Sequence, residues 1–335
     1  MHETSNGLLI ENKSITLQDV WKAKSNISSL IKKSPLVYSP TISKLKDAEI
    51  FLKFEQLHES GAFKMRGAVN AIHCLSEAQK SKGVITFSTG NHGYSVALAA
   101  KKLGIRAVIC VSTHVPKAKI EKIQSLGAEL EIYGESQDSA EQRCYQLMKE
   151  QGLTLIPPFD HPHVIAGQGT ISLEILEDLP TVNGVIGGLS GGGLLSGIGL
   201  VMKSTNPDIQ VIGVSMENGA AMYESLKADK PVEVSEFPTL ADSLLGGIGV
   251  NNNYTFNMIK SFIDKSYLVP EESIKKGMAY LYKEHQIIVE GAAAIGIGAV
   301  LDNILHVQPH TKLVIIITGC NVDLDVHANA IQQYI

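Results

Sequence analysis

The chain has 335 residues, 44% hydrophobic and 19% charged, with a formal net charge of −5. That length supports one large core or two modest ones, and two lobes are expected. The acidic balance excludes the basic face of a nucleic-acid binder, and no stretch approaches the ~18 continuous apolar residues that span a bilayer. Residues 1–20 carry acids and lack the basic start and apolar run of a signal peptide. The four cysteines, Cys74, Cys110, Cys144 and Cys320, form no CxxC pair and read as reduced thiols. A cytoplasmic protein is expected, with neither nucleic acid nor membrane as partner.

In chain order, the first segment that could carry chemistry is Ser60-Gly61-Ala62-Phe63-Lys64-Met65-Arg66-Gly67-Ala68. Lys64 follows a glycine-bearing turn and opens a helix, MRGAVNAIHCL. The positive end of a helix disfavours a charged amine, and a neutral amine is what Schiff-base chemistry needs. Taken alone, a lysine is ordinarily a solvated surface residue.

Val84–Phe87 reads as a short buried strand that ends in the turn Ser88-Thr89-Gly90-Asn91-His92-Gly93. Small residues at a helix N-terminus converge several backbone N–H groups, which suits a carboxylate or other anion. An ordinary capped strand-to-helix turn reads equally well. The helix GYSVALAAKKLG follows, with Val96, Ala99, Ala100 and Leu103 on one face. Then come a strand at 106–112, a helix from Pro116 to about Leu126, a strand at 129–133 and a helix at 136–150. This alternation implies right-handed crossovers and a parallel sheet. Pro157-Pro158 is the best local break.

A second series follows, with strands at 184–188, 210–215 and 312–318. The last of these, KLVIIIT, is wholly apolar, as a sheet buried on both faces requires. Between the first two lies Gly187-Gly188-Leu189-Ser190-Gly191-Gly192-Gly193-Leu194. Three consecutive glycines are costly in chain entropy, and close approach of backbone amides to a phosphate explains them better than a plain flexible turn does. The spacing is neither GxGxxG nor GxxxxGK[ST], so dinucleotide and ATP sites do not fit. Thr318 ends the late strand, where capping is the simpler local reading. Two α/β units suggest a cleft at the carboxyl ends of the strands.

These segments stand in the order found in the fold-type II pyridoxal-phosphate (PLP) enzymes, and the chain resembles their serine/threonine dehydratase and serine racemase branch. SGAFKMRGA resembles the lysine motif, STGNHG the substrate-carboxylate loop, SGGGLLSG the phosphate loop and TGCNVD the C-terminal segment. Asp160-His161-Pro162, Ile165–Thr170 (IAGQGT), Thr239–Asp242 (TLAD) and Glu290–Ala293 (EGAA) also match. Within the branch, the threonine-dehydratase-like enzymes of hydroxyectoine utilisation look most similar. The resemblance implies an α/β, two-lobed fold like that of the tryptophan synthase β chain, each lobe a mostly parallel twisted sheet covered by helices. Residues 1–82 with 158–335 would form the larger, PLP-binding domain, and 83–157 the smaller one carrying the carboxylate loop.

The resemblance further implies that Lys64 forms the Schiff base and moves the Cα proton. Phe63 would pack on the cofactor ring, Asn91 would bond its hydroxyl oxygen, and Thr318 its ring nitrogen. Ser190, Gly191, Gly192, Gly193 and Leu194 would hold the phosphate. Ser88, Thr89, Gly90 and His92 would hold the substrate carboxylate. The implied reaction is β-elimination from a small hydroxy-amino acid such as threonine or serine, releasing a 2-oxo acid and ammonia, with a homodimer as the expected assembly. The alternatives are racemisation, β-replacement, or a PLP-binding protein without catalysis. Thr89 stands where serine racemase has serine, which argues against racemisation. Ser215 and Ala221 stand where metal-using relatives have carboxylates, and Glu217 is out of register, so no metal site is expected. Ser243 replaces a glycine and is expected to narrow the pocket; Cys320 also replaces a glycine. The chain stops soon after TGCNVD, so the regulatory domain of biosynthetic threonine deaminases, and its feedback inhibition, are not expected.

Overall fold

Two sheets organise the chain in a computed structural model that describes residues 14–88, 90–115 and 117–335. The larger sheet has the order β1-β2-β10-β7-β8-β9, formed by Leu36–Tyr38, Glu49–Phe54, Lys312–Ile317, Gly184–Gly188, Gln210–Met216 and Lys265–Val269 respectively. All its pairings are parallel except the β1–β2 edge. The smaller sheet has the order β5-β4-β3-β6, formed by Glu129–Ile132, Ala107–Val111, Val84–Thr86 and Thr154–Leu155, and is parallel throughout.

The apolar runs explain the layering. Successive side chains of a strand face opposite ways. In β10, Leu313, Ile315 and Ile317 enter one core with residues of the helices Glu271–His285 and Gly291–Leu301. Val314 and Ile316 enter another with Leu195 and Ile198 of the helix Gly193–Thr205. A strand covered on both faces can present no polar side, which is why KLVIII reads as a continuous hydrophobic run. The smaller sheet repeats the pattern: Ile109 and Val111 of β4 face one cluster, Val108 and Cys110 the other. The first of these clusters also takes in Val96, Ala99 and Ala100 of the helix Asn91–Leu103, together with Met65, Val69 and Ile72.

The sequence places most of these elements within two residues. The helix after β3 begins at Asn91, two residues before GYSVALAA. Strands β1, β2, β6 and β9 are not foreseen: β6 has two residues, and β9 is exposed or half-buried except at Val269, so neither offers an apolar run. No helix of the described residues is long and apolar enough to cross a membrane.

Candidate active site

The carboxyl ends of β2, β10, β7 and β3 deliver the sequence motifs to one region. Residues 61–63 are stitched to 318–320: Ala62 bridges Gly319, the Phe63 N–H donates to the Thr318 carbonyl at 3.0 Å, and the Cys320 N–H to that of Gly61 at 2.9 Å. Gly61 has φ +73°, and a Cβ there would lie 2.9 Å from the Asn321 amide, so both backbone and space call for glycine. This pairing sets Phe63 and the helix Lys64–His73 against the end of β10, and Thr318 is buried there.

The Lys64 Nζ donates to the carbonyl of Pro158 at 2.7 Å and lies 5.3 Å from the Phe63 ring centroid. Desolvation lowers its pKa from 10.5 to about 8, since burial penalises the ammonium form. The same helix is anchored two residues on. The Arg66 guanidinium bonds Glu55 at 2.7 and 2.9 Å and Glu174 at 2.7 and 2.8 Å, and Lys53 reaches Glu174 at 2.6 Å. All four side chains are buried. Desolvation opposes the Arg66 charge, but the two carboxylates outweigh it and raise its pKa.

At the end of β3, the turn from Ser88 leads into the helix Asn91–Leu103, with Gly90 as N-cap. A Cβ on Gly93 would fall 1.8 Å from the Ser88 carbonyl oxygen, so the turn closes only over glycine, whereas Gly90 faces open space. Thr89 lies outside the described residues. The His92 side chain turns inward: its Nε2 donates to the Ile156 carbonyl at 2.8 Å, and its Nδ1 is buried without a partner. Burial, with the nearby Lys64 charge, lowers its pKa to about 3, so the ring is neutral. The imidazole is therefore a packed interior group, and only the backbone of His92 belongs to the turn.

At the end of β7, Gly192 caps the helix Gly193–Thr205 with φ +86° and no side chain caps its first turn. A Cβ on Gly191 would meet the Phe159 ring at 2.4 Å, and one on Gly193 the Phe159 Cα at 2.9 Å. The Leu194 side chain is buried in the core, which leaves its backbone for the turn. Ser190 sits half-buried at the start of that turn. Uncapped N–H groups at a helix N-terminus, reached over glycines, form an anion cradle. Together with the desolvated Lys64 amine, this arrangement fits PLP.

Sequence reasoning gave no role to Glu290, Asn321 or Pro158. Glu290 is 3% exposed and accepts hydrogen bonds from Asn91 Nδ2 (2.9 Å to each oxygen), Ser243 Oγ (2.5 Å) and the Asn321 N–H (2.8 Å). Burial raises its pKa against these bonds. Asn321 Nδ2 in turn donates to Asn91 Oδ1 at 2.6 Å and to the Ser60 carbonyl at 2.8 Å. An acid directly before the wholly buried run from Gly291 to Val300 was the available signal. Ser243 thus serves as a donor to Glu290. Cys320 places its thiol 3.6 Å from the Gln56 carbonyl, and Ser215 donates to that of Leu189 at 2.5 Å. Among the described residues, no group of three or more His, Cys, Asp or Glu is placed to hold a metal.

A family model described as pyridoxal-phosphate dependent enzyme matches residues 27–319, and the chain belongs to that family. Its cofactor is PLP. The L-threonine ammonia-lyase of Thermotoga maritima is 41% identical, the match covering 93% of this chain and 77% of that protein. The catabolic L-threonine dehydratase of Staphylococcus aureus is 38% identical over 92% of this chain and 90% of its own. Among solved structures, maize serine racemase superposes with a TM-score of 0.89 at 32% identity, covering 96% of this chain and 98% of that one. The processed threonine deaminase isoform 2 of Solanum lycopersicum gives 0.87 at 31%, covering 99% of each chain.

Proposed function

We propose that the chain is a PLP-dependent ammonia-lyase that eliminates the β-hydroxyl and the amino group of a small hydroxy-amino acid, L-threonine or L-serine, to leave a 2-oxo acid and ammonia. The observation that carries this reading is the half-buried Lys64 amine: its acceptor is Pro158, and the next residue, Phe159, packs against Gly191 and Gly193. Amine and glycine turn thus lie on either side of two consecutive residues.

When bound, the cofactor supplies the sink for the negative charge left at the substrate Cα. The Lys64 amine would hold the cofactor through its aldehyde and, when free, would take the proton from the substrate Cα. A pKa of about 8 leaves a useful neutral fraction near neutral pH. The backbone N–H groups of residues 190–194 would hold the phosphate. The turn of Ser88, Thr89, Gly90 and His92 would hold the substrate carboxylate at a helix N-terminus. Phe63 would cover one face of the ring, and Thr318 would offer its nitrogen a neutral hydroxyl. Asn91 would reach the ring oxygen with an amide oriented by Glu290. We further propose that the unit 83–157 works against the rest of the chain, and that the enzyme acts in the cytoplasm as a homodimer.

Replacing Lys64 with Ala should abolish both the visible cofactor absorbance and the release of 2-oxo acid and ammonia; retained turnover refutes the assignment. The likeness to maize serine racemase gives a second reading. Chiral chromatography of residual substrate separates the two, since racemisation leaves D-amino acid without ammonia.

A further inference from the structure

Asp160-His161-Pro162 has no role in the reaction just described, yet residues 158–160 touch both Lys64 and the glycine turn. Three consecutive side chains or carbonyls on the strap leaving the smaller sheet each engage something different. The Pro158 carbonyl accepts from Lys64. The Phe159 ring and backbone lie against Gly191 and Gly193. The Asp160 carboxylate accepts the backbone N–H groups of Asn253 (2.7 Å), Tyr254 (2.9 Å) and Thr255 (2.9 Å). Those three N–H groups open the helix Thr255–Phe262, which has no side-chain cap at its own N-cap residue.

That helix is the second wall of the glycine turn. A Cβ on Gly192 would meet Ile259 at 2.9 Å and Thr255 at 3.1 Å. The turn is therefore held between Phe159 on one side and the helix Thr255–Phe262 on the other, and Asp160 fastens the two walls to each other. Three charge-assisted bonds to a helix N-terminus make a strong tie. The strap itself has little freedom, because Pro157, Pro158 and Pro162 fix φ at three of six consecutive positions. Gly191, Gly192 and Gly193, by contrast, have no side chains to hold the shape of the turn.

We propose that Asp160 is a positioning residue for the cofactor phosphate: by clamping the helix Thr255–Phe262 to the strap, it keeps the N–H groups of Gly191–Leu194 converged and fixes their distance from Lys64. The proposal rests on the reading of that turn as the phosphate grip.

The test is equilibrium dialysis of the full chain against PLP and against pyridoxal, which keeps the aldehyde and lacks the phosphate. In the wild type, PLP binds far more tightly. In Asp160→Ala the affinity for PLP should fall about tenfold or more, the scale of a lost helix cap, while that for pyridoxal stays within about twofold. Asp160→Asn, the same size but uncharged, should fall between, and it carries the test if the alanine variant does not fold. An equal loss for both ligands, or no loss for either, overturns the positioning role. Equal wild-type affinity for the two ligands overturns the phosphate reading itself, and the role of Asp160 with it.

Discussion

Asn91 and Glu290, 199 residues apart in the chain, are joined by 2.9 Å hydrogen bonds from one amide nitrogen to both oxygens of a buried carboxylate. One residue opens the helix after β3 in the smaller sheet, and the other precedes a helix packed on the larger sheet. The bond therefore ties the helix after β3 to a helix of the larger sheet. It also fixes which way the Asn91 amide faces, because Asn321 occupies the oxygen end.

Glu290 should give the protein a pH signature. Burial raises its folded pKa above the ordinary 4.5, so the folded form keeps its proton to higher pH than the unfolded chain does. Its contribution to stability is full below about 4.5 and is lost as pH rises through the folded value. Glu290→Gln, with no proton to lose, should melt progressively closer to or above the wild type as the pH is raised from 4 to 7. Thermal unfolding of both proteins across that range checks this, and a pH-independent difference would contradict it.

Lys64 predicts a slope of the opposite sign. Its pKa falls from 10.5 to about 8 on burial, so between those values the unfolded chain binds more protons and stability rises with pH. Below about 8 the whole penalty applies, roughly 3 kcal/mol. Cofactor-free Lys64→Met should therefore be more stable than the cofactor-free wild type at pH 7, with the gap closing by about pH 10.5. Urea unfolding at the two pH values measures it. In the wild type, the rate of cofactor capture should rise with pH around a midpoint near 8.

The buried Arg66 cluster should be the most sensitive ion pair. Arg66→Met leaves the Glu55 and Glu174 carboxylates in the interior with Lys53 as the remaining buried cation, which costs roughly 3–5 kcal/mol when one partner of such a pair is removed. Arg106 makes an equally well-formed pair with Glu129 at 2.6 and 2.7 Å, but on the surface. Arg106→Ala should cost under about 1 kcal/mol. Similar urea midpoints for the two variants would show that the buried network is not coupled to folding.

Two glycines of one turn should behave oppositely. A methyl on Gly93 would collide with the Ser88 carbonyl, whereas Gly90 has φ −92° and nothing near its would-be Cβ. Gly93→Ala should lose upward of about 2 kcal/mol, and Gly90→Ala should stay within about 0.5 kcal/mol of the wild type in denaturant unfolding.

The sequence was most legible where one physical demand dominates a segment. Strands covered on both faces declare themselves through runs such as Val314–Ile317, and the glycine turn through the absence of side chains where a chain must approach closely. β2 was missed because Lys53 interrupts its apolar run. That lysine is wholly buried on Glu174, 121 residues away, a pairing no local pattern reveals. The inward turn of His92 was missed for the same reason: its acceptor, the Ile156 carbonyl, follows β6, 64 residues further along the chain. Glu290 lay in a matched motif, but its partners Asn91, Ser243 and Asn321 come from three separate segments.

The chain passes into the smaller sheet through β3 and out through β6, and these two strands are hydrogen-bonded neighbours, Val84 beside Thr154 and Ile85 beside Leu155. The ends of this seventy-residue excursion thus lie about one interstrand spacing apart, near 4.8 Å. Such a segment is a natural cassette. A chimera that swaps it at this paired seam for the equivalent stretch of a relative keeps both backbone junctions in register, so the turn that follows β3 can be exchanged while Lys64 and the glycine turn stay on their own scaffold.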